Sequence, residues 1–535
     1  MIPLAAAQSN EISVLSVTNE SIGGVADIYL EIRPGHNSLF LDSFPLTKLD
    51  TQISTRFARE YACKLVDKDC TSLDFFYVIR ASSTIIGGPS AGAAITVLTY
   101  ATLEDLELDD NTIMTGTIDS GGLIGPVGSI PEKVGAAMSA GFERVLVPAI
   151  EYDTNLSEYK IEVIPVIDIE EAIEYFTGRH IKPPYSEIQV PDEYFSTMEI
   201  VADSLCRTAK SLSEMAMNES APADRFMSKA TEALGRTDYY SAASYCFAAS
   251  LELRKLELSK KSQAELRRIY RQLEVDIESL DRSLPKDIDN IADLEIYMIV
   301  RERLIDAYDT LHEETYENIT PEGLGYAVER YNSAFTWSSF FGAIPSEPFD
   351  LSEEHLHKSC RTKLAEAEER LNYISYLINA NLADVRQELN NAYEDLRQKE
   401  YALCVFKASK AKAEADSVIS AVYAGDNLNS SVRHKIEKAG EVIGRQTAKG
   451  SFPILSYSYY EYAQNLNDTY SSNLYAEYAL ELATLDIYLP ERKAKPVYDL
   501  TKIALFFAGL LIGVILGVLS LEFYQYRKKR RKHRR

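Results

Sequence analysis

The chain has 535 residues, 46% hydrophobic and 25% charged, with 19 prolines and six cysteines. That length implies roughly three or four folding units, and the composition excludes wholesale disorder, collagen-like repeats and a small disulfide-dense scaffold. The formal net charge is −24, yet eight of the 56 Lys+Arg lie in residues 527–535, so the rest of the chain carries −32. So acidic a body does not suit a nucleic-acid binder, because phosphate contacts need clustered basic side chains.

Residues 1–8, MIPLAAAQ, are small and apolar like the end of a signal peptide, without its basic start or long apolar run. Either the export signal lies upstream or the body is cytoplasmic with a tail anchor. Residues 11–178 mix strand and helix patterns and read as an α+β domain. ISVLSVT and VADIYLEIRPG alternate as strands do, STRFAREYACKLV (54–66) has helical spacing, and DFFYVIRAS reads as a buried strand. A helix is predicted from GPSAG through Leu106, then a strand over Thr112–Thr117 and a glycine-rich turn. The helix PEKVGAAMSAG, the strands RVLVP and IEVIPV and a helix over Ile169–Tyr175 complete the domain. Residues 179–193, with Pro183 and Pro184, are a linker.

Residues 194–486 read as an all-α region rich in Ala, Glu, Leu and Tyr, broken at Pro222, Pro285, Pro321, Pro345 and Pro453. ASYCFAAS (243–250) resembles ALCVFKAS (402–409), which allows helical-hairpin repeats. The aromatic run FTWSSFF (335–341) reads as interhelical packing. The cysteines allow three pairs, Cys63 with Cys70, Cys206 with Cys246 and Cys360 with Cys404, with buried free thiols as the alternative. Asn-x-Ser/Thr triplets begin at Asn19, Asn155, Asn218, Asn318, Asn429 and Asn467. Nineteen uncharged residues at 503–521 predict one transmembrane helix, and residues 522–535 form a basic tail that the positive-inside rule places in the cytoplasm. The expected localisation is therefore a single-pass cell-membrane protein with its body outside. Gly509, Gly513 and Gly517 share one helix face, which would allow a homo-oligomer through that helix.

The chemistry concentrates in two segments, GGPSAGAAI (87–95) and MTGTIDSGGLIGPVGSIPEKVGAAMSAG (114–141). Ser90 sits among Gly88, Pro89, Ala91 and Gly92 at the start of a helix, where small neighbours admit a substrate and helix N–H groups can support an oxyanion. A serine hydroxyl needs a base. His36 and His180 lie in no recognisable motif, whereas Lys133 opens an Ala/Gly-rich helix where burial would keep its amine neutral. His355, His357 and Cys360 do not form a metal site, since positions i and i+2 point to different sides of a helix. Neither metal nor cofactor is expected.

GPSAG followed 43 residues later by Lys133 in GPVGSIPEK resembles the serine–lysine peptidase domain of Lon-type proteases, over most of residues 11–170. The resemblance implies Ser90 as nucleophile, Lys133 as general base, Thr115 as the threonine that holds the lysine, and Glu132 as the acidic neighbour. One departure stands out: the family usually carries Asp three residues before the serine, where this chain has Gly87. No GxxxxGK[ST] phosphate loop occurs in these 535 residues. The combined reading is a membrane-anchored, ATP-independent serine endopeptidase acting on polypeptides. The alternative is a catalytically silent Lon-like fold serving as a membrane-tethered scaffold.

Overall fold

The computed structural model describes residues 8–18, 22–44, 46–66, 68–81, 88–152, 154–181, 187–216, 220–314, 316, 318–378, 380–490, 510–524 and 527. Alternating apolar side chains bring the first two strands together: β1 (Gln8–Val17) pairs antiparallel with β2 (Gly23–Pro34), setting Ile12 opposite Ile28 and Val14 opposite Ala26. β3 (Leu39–Phe44), β4 (Leu73–Ala81), β5 (Thr112–Met114), β8 (Arg144–Pro148) and β9 (Glu162–Val166) complete a seven-stranded mixed sheet ordered β3-β4-β2-β1-β5-β8-β9. A two-stranded ribbon, β6 (Thr117–Ile118) with β7 (Ile124–Gly125), stands apart from it. Sequence reading passed over β3. This edge strand, LFLDSF, turns Leu39 and Leu41 toward the core but leaves Phe40 and Phe44 49% and 73% exposed, so apolar residues lie on both faces and the sequence shows no polar–apolar alternation.

Four helices cover the sheet: α1 (Leu49–Leu65), α2 (Gly92–Glu104), α3 (Ile130–Ala140) and α4 (Ile169–Thr177). Ala58 and Ala62 of α1, Ile95 and Leu98 of α2 and Ile173 of α4 share one apolar core with Ile28, Tyr77 and Leu146 of the sheet. A second core forms where Val134 and Ala137 of α3 meet Leu15, Ile113 and Val145. α2 is buried on every face from Gly92 to Leu103, which fixes the residues that lead into it.

Among the described residues up to Pro490, twelve helices follow. They are α5 (Asp192–Ala216), α6 (Ala221–Gly235), α7 (Tyr239–Ser259), α8 (Gln263–Ser283), α9 (Ile291–Glu313) and α10 (Pro321–Trp337). After them come α11 (Glu353–Leu377), α12 (Ala383–Gln398), α13 (Tyr401–Ala424), α14 (Leu428–Ala448), α15 (Ile454–Asn465) and α16 (Thr469–Ala483). All three cysteine pairs form: Cys63–Cys70, Cys206–Cys246 and Cys360–Cys404. The last two tie α5 to α7 and α11 to α13, each across an intervening helix, so the related segments at 243–250 and 402–409 are the third helices of three-helix groups. Trp337 and Phe340 from the aromatic run are buried against each other, their centroids 5.4 Å apart.

The helical region and the sheet domain lie in one compact unit that ends at Pro490. Ion pairs stitch them together. Arg370 of α11 pairs with Asp119 and Asp416, Lys438 of α14 with Asp168 and Glu170, and Lys64 of α1 with Asp486. Ser120 Oγ meets the Glu481 carboxylate, which also takes Lys363 and Lys412. Paired buried charges fix the relative placement of two elements, because separating one partner strands the other in low dielectric.

The expected transmembrane helix and the single-pass membrane localisation built on it do not hold. Among the described residues no helix is long and apolar enough to cross a membrane. The orientation, tail placement and bilayer contact inferred from that helix go with it. Residues 1–7, Asn19, Gly87, Pro183, Pro184, Asn218, residues 503–509 and most of the basic tail lie outside the described residues.

Candidate active site

Ser90 lies in the turn, described from Gly88, that leads into α2. Gly88 adopts φ 97°, a left-handed conformation that suits glycine, and the chain then doubles back so that the Gly92 N–H donates to the Pro89 carbonyl at 2.9 Å. Gly92 leaves no room for a side chain: a Cβ there would meet Ser54 Oγ at 2.7 Å and Ile118 Cγ2 at 2.8 Å. α1 braces the turn from below, with Ser54 Oγ donating to the Pro89 carbonyl at 3.4 Å. The Ser90 carbonyl is fixed in turn by the Gly116 N–H at 2.9 Å.

Lys133 occupies the first turn of α3 and is 4% exposed. Its Nζ donates to Thr115 Oγ1 at 3.1 Å, and Thr115 Oγ1 donates to the Ser90 carbonyl at 3.4 Å. Thr115 is itself immovable, since its N–H bonds the Leu146 carbonyl at 3.1 Å in the middle of the sheet. Two hydrogen bonds thus connect the amine to the main chain of Ser90. Among the described residues no hydrogen bond joins Nζ directly to Ser90 Oγ. Burial lowers the Lys133 pKa to about 8, against the opposing pull of Glu151. The positive end of α3 disfavours an ammonium in the same direction.

Residues 58–176 match the Lon protease (S16) C-terminal proteolytic domain. The sheet domain belongs to the Lon proteolytic family. Relatives include archaeal Lon proteases of Archaeoglobus fulgidus, 28% identical over 172 residues, and Thermoplasma acidophilum, 31% identical over 114. The Lon protease of Phenylobacterium zucineum is 40% identical over 109 residues. These matches cover 30%, 21% and 19% of this chain, and only 27%, 17% and 13% of the respective relatives.

The Lon-type domain holds one further acid that sequence reading missed. Glu151, just beyond β8, accepts the Val127 N–H on Oε2 at 2.6 Å and lies close enough to Lys133 for each to shift the other's titration. Burial pushes its carboxyl up to about 8, with the Val127 N–H and Lys133 pulling the other way. Tyr373 of α11 and Tyr423 of α13 also feel its charge. The only sequence signal was position: three residues past a buried strand ending in Pro148, between the strands RVLVP and IEVIPV.

Residues 119–129, which carry the chain into α3, are clamped by the helical region. Arg370 holds Asp119, the Tyr373 hydroxyl donates to the Pro126 carbonyl at 3.3 Å, and Leu123 joins the helical core. The helices therefore set the approach of the helix that presents Lys133. Glu132, matched to the family's acidic neighbour, is exposed and faces away from Lys133's buried amine. Of the amides assigned to oxyanion support, that of Gly92 is already used on Pro89, and Pro89 has no N–H. Among the described residues the Ser90 and Ala91 amides have no backbone acceptor. Cys360 is bonded to Cys404, His355 bonds Ser352 Oγ at 2.9 Å and His357 packs on Tyr401, so these three side chains are otherwise engaged.

Proposed function

We propose that this chain is a serine endopeptidase that cleaves polypeptides with a Ser90–Lys133 dyad and without ATP hydrolysis by its own residues. The reading rests on the buried Lys133 amine, joined through Thr115 to the backbone of Ser90. Thr115's proton is committed to the Ser90 carbonyl, so its oxygen accepts from Nζ. A neutral amine that spends one N–H on Thr115 keeps its lone pair for another proton. Rotation of Ser90 about χ1 brings its hydroxyl to that lone pair. Lys133 then takes the proton as Oγ attacks the scissile carbonyl, the free amides of Ser90 and Ala91 receive the oxyanion, and Lys133 returns the proton to the leaving amine. Water admitted to the acyl-enzyme is activated by the same amine. A polypeptide substrate accords with what the relatives are named for.

Covalent labelling by an active-site serine reagent tests this, with cleavage of an unfolded protein measured in parallel. The wild type should label and cleave. Ser90→Ala should do neither, and Lys133→Met should lose ~10³-fold or more in kcat with its far-UV circular dichroism unchanged. Cleavage by Ser90→Ala at the wild-type rate would exclude the dyad.

A further inference from the structure

The tyrosine-rich segments of the helical region converge on a cleft lined by helical residues alone. Tyr240 of α7, Trp337 of α10, Tyr459 and Tyr462 of α15 and Tyr475 of α16 line a space of about 360 Å³. Their rings meet mostly edge to face: Tyr240 lies 6.0 Å from Trp337 and 5.6 Å from Tyr462, and Tyr462 lies 4.6 Å from Tyr475. Such a volume falls at the lower end of small-molecule sites. It admits one aromatic-sized group and excludes a folded domain.

Arg303 of α9 enters this aromatic wall with its guanidinium 5.0 Å from the Trp337 ring centroid. Its Nε and Nη1 are sealed from solvent without an acceptor, and among the described residues it makes no hydrogen bond or ion pair at all. The other cations lining the cleft are satisfied. Lys410 bonds Glu302 at 2.8 Å and Glu388 at 3.0 Å, while Arg330 pairs with Glu302 and Asp306. Buried guanidinium groups ordinarily have a carboxylate or phosphate partner. Lys410 and Arg330 thus account for Glu302, Glu388 and Asp306, and among the described residues Arg303 is the lining cation left without a partner.

We propose that this cleft binds a carboxylate carried on an aromatic or other apolar body, with the carboxylate on Arg303 and the body among the tyrosines and Trp337. One guanidinium without a carboxylate partner suits a monoanion, and among the described residues no second free cation lines the cleft for a phosphate dianion. A free small acid and the C-terminal end of a polypeptide share this chemistry. The inference does not depend on the peptidase reading, since no residue of the cleft belongs to the Lon-type domain.

Trp337 is the only tryptophan in the chain, so its emission reports on this cleft alone. The full-length protein is titrated with N-acetyl-phenylalanine, its amide, and a hexapeptide ending in phenylalanine as acid and as amide. The expected result is a saturable emission change with at least one acid, at least ~10-fold weaker binding of the matching amide, and a similar loss in Arg303→Met. Tighter binding of the peptide acid identifies a chain end as the occupant, and equal or tighter binding of the small acid identifies a free acid. Arg303→Lys keeps the charge and should retain partial affinity; it replaces Arg303→Met if circular dichroism shows that variant unfolded. Equal binding of acid and amide, wild-type affinity in Arg303→Met, displacement by inorganic phosphate as readily as by the acid, or no response to either acid would overturn the proposal.

Discussion

Glu151→Gln should move the acid limb of the activity profile to lower pH. The carboxylate raises the Lys133 pKa while burial lowers it, and the balance leaves the amine at about 8. At pH 7 only about one-tenth of the enzyme then carries the neutral amine the mechanism needs. Gln keeps an oxygen for the Val127 N–H but cannot carry the charge that favours the ammonium. Because the Glu151 carboxyl itself titrates at about 8, it is mostly uncharged at pH 7 and favours the ammonium only as it ionises; its loss should therefore raise kcat/KM by less than ~10-fold, most visibly near pH 8, with no change above pH ~9.5, where the wild-type amine is already neutral. The measurement is kcat/KM on a fluorogenic peptide from pH 5.5 to 10. A midpoint that stays in place or moves upward would refute the assignment. So would a rate lowered by one factor at every pH, which marks Glu151 as a purely structural group.

Thr115→Val should lower kcat/KM about 10- to 100-fold by releasing the amine from its seat, with Thr115→Ser restoring most of the rate and the melting temperature little changed in both. Asp119→Asn keeps the acceptor for Thr117 but leaves Arg370, 2% exposed, with Asp416 alone. Urea denaturation should show a loss of about 3 kcal/mol, and activity should fall as residues 119–129 loosen. Thermal stability should peak near pH 5 and fall towards pH 8. The Glu295 and Glu461 carboxyls are pushed up to about 8 by burial, as is Glu151, and those of Glu369 and Glu477 to about 7. An acid raised in the fold stabilises below its unfolded value and loses that contribution as pH rises through the folded one. Glu302 and Glu481 are held near 2 and weaken the fold only below about pH 4.5, while Lys133 acts only above about 8. Differential scanning calorimetry from pH 4 to 9 checks the sign, and Glu295→Gln should flatten the slope.

The strands that face the core were legible because alternation follows directly from burying one side of a sheet, as Ile28, Leu30 and Ile32 do in β2. Edge strand β3 was not, since Phe40 and Phe44 put apolar side chains on its exposed face as well. The C-terminal apolar run was read as a span because hydropathy counts residues, whereas among the described residues no helix is long and apolar enough to cross a membrane. Ser90, Thr115 and Lys133 could be picked out because each sits in a local motif whose small residues serve the turn, as at Gly88 and Gly92. Glu151 and Arg303 had no such motif. An acid on a loop and an arginine on a helix look ordinary until packing removes the water around them.

The sequence by itself determined what is local: the alternating strands, the Gly-Pro-Ser-Ala-Gly turn, the helix that carries Lys133, and cysteines in numbers that can pair. Tertiary structure decided which groups lose solvent together, because burial and proximity across 18 residues between Thr115 and Lys133, or 251 between Asp119 and Arg370, depend on how separate elements dock. The perturbed titration of Lys133, the grip of α11 on residues 119–129 and the unpaired guanidinium of Arg303 all arise at that level. Each depends on what packing leaves around a charged group once water is removed.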